Sequence, residues 1–403
     1  IAQAGEKMTD GVLRPARPDG MAAFPCPSSA DKMLLVCNHE NSAHQLDMGA
    51  FGKDNALLSK LPKAKFYDYG YGKQPHLGGT TTLVYNEKTQ RVERQFVSLA
   101  GTSRNCAGGK TPWGTWLTCE EDIKWKDDKN EQRHGYVFEV QPSESPQNTP
   151  PVALKAMGRF NHEAAAVDPA SGIVYLTEDR NDALFYRFIP KVRGQLAKGG
   201  KLQALAFVYK SKMDTRNWDS TTIRPRVPYA VRWIDLQDVD GQHDDLRLRG
   251  YKMGAAVFAR GEGAWCDGKH IYIACTSGGK EKIGQIFRYT PSAYEGTGKE
   301  ANNAYRPRLT LFAESTDPKQ LRYCDNLTIA PWGDVIFVED SRSQARIMGI
   351  TQEGQFYRIG ENIGKGSELA GVCFSPSGKT LFVNIQDVGT TIAITGDWKR
   401  RKV

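Results

Sequence analysis

The chain has 403 residues, 39% hydrophobic and 25% charged, with 40 glycines, 20 prolines, 16 Phe, 16 Tyr and 8 Trp. That composition belongs to a folded chain, neither disordered nor fibrous, and no run of about eighteen apolar residues marks a membrane span. The net charge of +8 is spread thinly, with Lys-Arg and Arg-Arg pairs only at Lys399–Lys402, which argues against nucleic acid as a specific partner. The sequence opens at Ile1 and residues 1–25 hold no apolar signal core, so it reads as a mature or trimmed product, with about residues 1–23 as an N-terminal extension.

In chain order, a short apolar strand ending in acidic or amide residues recurs six times: LLVCNHE (34–40), WLTCEED (116–122), VYLTEDR (174–180), IYIACTS (271–277), VIFVEDS (335–341) and LFVNIQD (381–387). Five copies follow a turn carrying glycine (Gly114, Gly172, Gly268, Gly333, Gly378). Further strands are expected at 136–140, 184–188, 286–289 and 391–394. The segments before the turns (105–114, 161–172, 260–268, 324–333, 367–378) are rich in Ala, Gly, Cys and Ser, as strands crowded around an axis require. The unit is thus a small inner strand, a turn, an apolar second strand and outer strands. Six such units predict an all-β fold, a six-bladed β-propeller with loop insertions in a single domain over 1–403. The longest insertion, about 190–255, contains two loop-like stretches, KVRGQLAKGGK and QDVDGQHDDLR. Two packed sandwiches would also give many short strands, but not six matching polar strand ends.

The inner segments place a polar residue at nearly the same point. Cys106, Glu163 and Asp325 stand six residues before Pro112, Pro169 and Pro331, and Glu262 and Glu368 occupy similar positions. These five are expected to ring one channel mouth, with Glu40, Glu120, Glu121, Glu178, Asp179, Glu339 and Asp340 joining from the second strands. Glu120 and Glu121 cannot both face the channel, because neighbours on a regular strand point to opposite faces. Carboxylates so gathered cannot all stay ionised without cations. Oxygen-rich sites call for Ca²⁺ or Mg²⁺, and a thiolate among them adds a softer position for iron or zinc.

Arg260, two residues before Glu262, would set a guanidinium beside the metals, as phosphate or carboxylate recognition requires. Acidic strand ends also cap turns or hold a single structural Ca²⁺, and Asp122, Asp179 and Asp340 look like turn formers. Only seven histidines occur, which argues against a zinc site of two or three imidazoles; His76, His134, His243 and His270 read as surface or packing residues. Most of the eight cysteines read as small buried hydrophobes, whereas the setting of Cys106 suits an accessible thiol.

The run NCAGGKTPWGTWLTCEE (105–121) closely resembles the signature of the PhoX family of secreted bacterial alkaline phosphatases. Asn38-His39-Glu40, Asn161-His162-Glu163, Arg260-Gly261-Glu262, Asp325-Asn326 and Glu368…FSPSGKTLFVNIQ follow in the family's order. The resemblance implies a six-bladed propeller that hydrolyses phosphomonoesters at a mixed iron–calcium cluster in the channel mouth. It assigns Glu40, Cys106, Glu121, Glu163, Glu262, Asp325, Glu368 and Glu178 as ligands of two Fe³⁺ and at least two Ca²⁺. Arg260 would clamp the phosphate, with Asn326 beside it. It also implies export to the periplasm or the extracellular space, small phosphate esters as partners, and a monomer. The expected activity is metal-dependent phosphomonoester hydrolysis needing no Ser or Cys phospho-intermediate. A phosphodiesterase or phytase-like hydrolase at the same site is the nearest alternative. A non-catalytic, calcium-stabilised binding propeller is the other, and it would need neither Cys106 nor Arg260.

Overall fold

The structure is a computed structural model that describes residues 1–364 and 366–398; the basic tail at 399–402 lies outside them. Every named strand pairing is antiparallel. The six expected second strands all form, as Lys32–His39, Trp116–Glu120, Val174–Glu178, Ile271–Cys275, Val335–Glu339 and Thr380–Ile385. Each pairs with a preceding inner strand: Pro18–Pro25, Asn105–Lys110, His162–Val167, Gly261–Cys266, Cys324–Ile329 and Leu369–Phe374. The inner strands neighbour one another in that order, and the last returns to the first, closing a ring about an axis.

The sheet count differs from the expected six. Among the described residues, four sheets of three or four strands accompany one sheet of nine. The long 190–255 segment causes this difference, because it supplies two strands, Gly200–Phe207 and Pro228–Asp235, as well as the helix Leu246–Lys252. Pro228–Asp235 pairs outward with Arg308–Glu314, so the sheet that starts at His162–Val167 continues into the one that starts at Gly261–Cys266. Those two end strands also lie side by side at the axis, leaving the sheet nearly closed.

The N-terminus is a second departure. Pro18–Pro25 is an inner strand rather than part of an extension, because its small apolar residues Met21 to Ala23 pack at the axis. Ala2–Gln3 pairs with Thr390–Thr395, and the Ile1 ammonium donates to the Thr391 carbonyl at 2.8 Å. The start of the chain therefore completes the last sheet and closes the ring by hydrogen bonds.

Inner strands approach closely enough to demand glycine. A Cβ on Gly109 would stand 1.6 Å from the Ala165 carbonyl oxygen, and one on Gly20 would stand 2.6 Å from Ala107 Cα. Outside this crowded axis, the larger second- and third-strand side chains make the core between sheets, as in the cluster of Tyr175, Phe185, Phe258, Phe287 and Tyr289.

Candidate metal centre

Antiparallel pairing brings the end of each second strand to the start of its inner strand: Glu120 opposite Asn105, Glu339 opposite Cys324 and His39 opposite Pro18. Both sets of polar residues therefore meet at one rim. The same backbone bond closes each unit. The N–H groups of Glu40, Glu121, Asp179, Thr276, Asp340 and Gln386 donate to the carbonyls of Arg17, Arg104, Asn161, Arg260, Tyr323 and Glu368, at 2.9, 3.0, 3.2, 3.0, 2.9 and 3.2 Å. Just beyond this bond, every inner strand breaks register with its partner.

Strand alternation then sorts the acids. Glu40, Glu121, Asp179 and Asp340 face the mouth, while Glu120, Glu178 and Glu339, each one residue earlier, turn into their own sheets and are fully buried. Glu120 accepts from Ser103, Gly135 and Tyr136 N–H groups, and Glu339 is forked by Arg346. Glu178 accepts from Tyr186 Oη at 2.7 Å. Burial raises its carboxyl to about 7. Glu178 thus stands outside the mouth, contrary to its expected ligand role, because the residue that turns inward there is Asp179.

Three groups at the mouth bring ligand atoms within 4.8 Å of one another: Cys106 with Glu121 and Glu163, Glu163 with Glu262 and Asp325, and Asp19 with Glu40 and Glu368. Seven of the expected ligands are therefore assembled, and Glu163 links two groups. Asp19 was not anticipated. It stands six residues before Pro25, the spacing shared by Cys106, Glu163 and Asp325, but the turn after its strand lacks the glycine that marked five other units. Cys106 is buried, not accessible as expected, because Glu121, Glu163 and the His162 carbonyl enclose it.

The electrostatics are those of acids crowded together and buried. Burial, reinforced by the neighbouring carboxylates, pushes Glu163, Glu262 and Asp325 well above the ordinary acid range. The same causes raise Glu368 to about 9 and Asp19 to about 7. Burial raises Glu121 too, and Arg104 does not offset it. Burial and the flanking Glu163 and Glu121 likewise raise the Cys106 thiol. Glu40 is the exception: burial opposes its charge, but Arg17 and Arg104 outweigh that and hold it low.

Three arginines frame the mouth from equivalent positions, each immediately before an inner strand and each in the left-handed region, at φ of 48° for Arg17, 48° for Arg104 and 51° for Arg260. Arg104 spans Glu40 and Glu121, each at 2.6 Å. Arg260 grips Asp179 at 2.8 and 3.0 Å and Glu262 at 2.7 Å. Among the described residues its Nη1 meets only Asp340, at 3.8 Å. Asn326 differs from expectation. Its amide donates to Asp325 at 2.9 Å and accepts from the Gly371 N–H, so it ties neighbouring inner strands and orients Asp325.

At the far ends of the inner strands lies a cavity of about 420 Å³ lined by Phe24, Pro25, Lys110, Trp265 and Cys266, with no carboxylate. The convergent carboxylates are at the other mouth.

The sequence matches the family described as Alkaline phosphatase PhoX over residues 1–389. The chain belongs to the PhoX alkaline phosphatase family. It is accordingly a hydrolase of phosphoric monoesters. Among solved structures it is similar to Pseudomonas fluorescens PhoX in complex with vanadate, a transition-state analogue, at 19% identity and a TM-score of 0.65, over 93% of this chain and 84% of that one. It also aligns with XC5397 from Xanthomonas campestris, a gluconolactonase, at 12% identity and a TM-score of 0.46, over 98% and 94%. No curated protein matches. The PhoX likeness supports the propeller-like fold, and no helix among the described residues is long and apolar enough to cross a membrane.

Proposed function

We propose that the acidic mouth of this PhoX protein releases inorganic phosphate from small phosphate monoesters with the help of two kinds of metal ion. The observation that carries this reading is the sharing of Glu163 between a thiol-containing group and a carboxylate-only group. The donors suit a mixed centre, since a thiolate favours a transition ion and carboxylates favour calcium. Cys106, Glu121 and Glu163 would hold Fe³⁺; Glu262, Asp325, Asp19, Glu40 and Glu368 would complete the iron sites and hold Ca²⁺. When bound, these ions would draw charge from the phosphoryl oxygens.

The arginines orient the ester. Asp179 and Glu262 fix Nε and Nη2 of Arg260, and Nη1, with only the long 3.8 Å ion pair to Asp340 among the described residues, would donate to a phosphate oxygen. That Pseudomonas fluorescens PhoX was solved with vanadate, a transition-state analogue, supports phosphoryl chemistry for this chain. The nine-stranded sheet reads as two blades fused at their outer edges, giving six in all. The family's exported habit supports a periplasmic or extracellular location.

The test is metal analysis with turnover of p-nitrophenyl phosphate. Iron and calcium should copurify, and calcium chelation or iron removal should abolish turnover; turnover that survives both refutes the reading. Bis-p-nitrophenyl phosphate in parallel separates monoesterase from diesterase activity.

A further inference from the structure

A second cluster lies away from the mouth. His134, which precedes the strand Val137–Val140, and Asp68 and His76, from the long connection between Lys32–His39 and Gly78–Asn86, bring one ring nitrogen each and a carboxylate oxygen within 4.8 Å of one another. They are 0%, 0% and 2% exposed, so of the surface or packing roles expected for the two histidines the surface one does not apply. We propose that Asp68, His76 and His134 form a separate binding site for a divalent transition ion of the zinc class, which pins the 41–77 connection to the neighbouring sheet.

Each histidine is oriented from behind by an oxygen. His134 Nδ1 meets Glu120 at 2.6 Å, and His76 Nε2 meets Asn130 Oδ1 at 2.8 Å. Glu120 and Asn130 are themselves held, Glu120 by three backbone N–H groups and Asn130 by Asp127 and the Trp125 carbonyl. An outer acceptor on one nitrogen, with the other presented inward, is the arrangement that fixes an imidazole for a metal. On the inward side, His134 Nε2 stands 3.2 Å from Asp68 Oδ2. That is close to the edge of about 3.3 Å that a tetrahedron with zinc bonds of about 2.0 Å would set.

The observation that a proton-bridged pair alone leaves unexplained is His76 Nδ1. It is buried with no hydrogen-bond partner among the described residues, although the ring lies tilted against His134, centroid to centroid 4.0 Å. A buried nitrogen without a partner costs free energy, and a metal would use it. Charge agrees: Asp68 and Glu120 bring two negative charges, no arginine or lysine side chain among the described residues bonds either carboxylate, and a divalent ion with neutral imidazoles balances them. Asp68 Oδ1 stays anchored by the Gly70 N–H at 2.8 Å, so the carboxylate is already aimed.

The test is zinc stoichiometry on the whole, iron- and calcium-loaded protein after dialysis against Zn²⁺, for wild type, His76→Ala and Asp68→Asn. Wild type should retain one more zinc per chain than either variant, while iron content and phosphatase turnover stay the same in all three. Equal zinc in wild type and variants overturns the proposal. Zinc X-ray absorption on the wild type covers the case of a variant that does not fold. Two imidazoles on the bound zinc are expected, and carboxylate-only ligation overturns the site, since the described ligand groups at the mouth contain no histidine. Loss of iron or turnover would touch the proposed function at the mouth and not this site, so the two readings fail separately.

Discussion

Replacing Asp19 with Asn tests the acidic ring at the ligand least visible in the sequence. Asp19 accepts from the Gly20 N–H and from Gln386 Nε2, both at 2.6 Å, yet burial and the nearby Glu40 lift its carboxyl from 3.8 to about 7. A group whose folded pKa is raised gives its full stability below the unfolded value and loses it as pH rises through the folded one. In metal-depleted protein, the ionised Asp19 therefore costs about 4 kcal/mol above pH 7, at about 1.4 kcal/mol per tenfold, and about half of that at pH 5.5. Asp19→Asn removes this cost. For a chain of this length the gain is about 5 °C in unfolding midpoint at pH 8, shrinking as pH falls. Metal-loaded protein should respond in the opposite sense, because the charge that burdens the empty site helps to hold the ion. The assay is thermal unfolding of chelated and reconstituted protein at both pH values, with metal content and turnover measured alongside. A chelated variant no more stable than wild type at pH 8, or a reconstituted variant with full metal and activity, refutes the argument.

Arg260→Ala should lower kcat/KM roughly 10- to 100-fold, the loss of a charged hydrogen bond of about 1.5–3 kcal/mol, and Arg260→Lys should recover part of it; unchanged kinetics removes it from the phosphate site. Glu178→Gln should leave metal content intact. It should also remove the stability lost between pH 4.5 and about 7, about 3 kcal/mol, as the buried carboxyl ionises, visible as a flatter urea midpoint across that range. Gly109→Ala should destabilise by at least about 3 kcal/mol, because the added methyl meets the Ala165 carbonyl at 1.6 Å. Gly114→Ala, in an open turn at φ 87°, should cost only about 1 kcal/mol; thermal unfolding of both ranks them.

The strands and most of the rim were legible because each depends on local pattern: a short continuous apolar run with a polar end, a glycine turn and a polar residue six before a proline. The same pattern extends to Asp19, but the PSSAD turn that follows its strand has no glycine, and the unit passed for an extension. The arginines share an Arg-x-(acid or Cys) spacing, at Arg17 with Asp19, Arg104 with Cys106 and Arg260 with Glu262. Only the last was read as functional, because the left-handed backbone that turns all three toward the mouth carries no composition signal. Glu178 and Asp179 show the opposite failure. The register break next to Glu178 decides which of two adjacent acids faces the axis, and that break is a property of pairing with His162. The Asp68–His76–His134 group was out of reach for a related reason: its members come from two connections in different sheets, and no spacing joins them.

The two mouths of the axis separate chemistry from closure. Nine carboxyls at the acidic end (Asp19, Glu40, Glu121, Glu163, Asp179, Glu262, Asp325, Asp340 and Glu368) face the guanidiniums of Arg17, Arg104 and Arg260. Without metals, burial keeps Glu163, Glu262, Asp325 and Glu368 protonated and the three arginines offset the acids that stay ionised, so that end offers a phosphate ester no net positive field. Attraction therefore depends on cations that outnumber the remaining charge, so metal loading sets both the chemistry and the access of substrate. The other end has no such charge: Phe24, Pro25 and Trp265 line it, and Lys110 donates to the Ala23 carbonyl at 3.0 Å. An anion arriving from solvent thus meets convergent positive charge at the acidic end only after the metals are in place, against the single Lys110 at the other. The diffuse +8 of the sequence says nothing of this arrangement, because the decisive charges are of the opposite sign and buried.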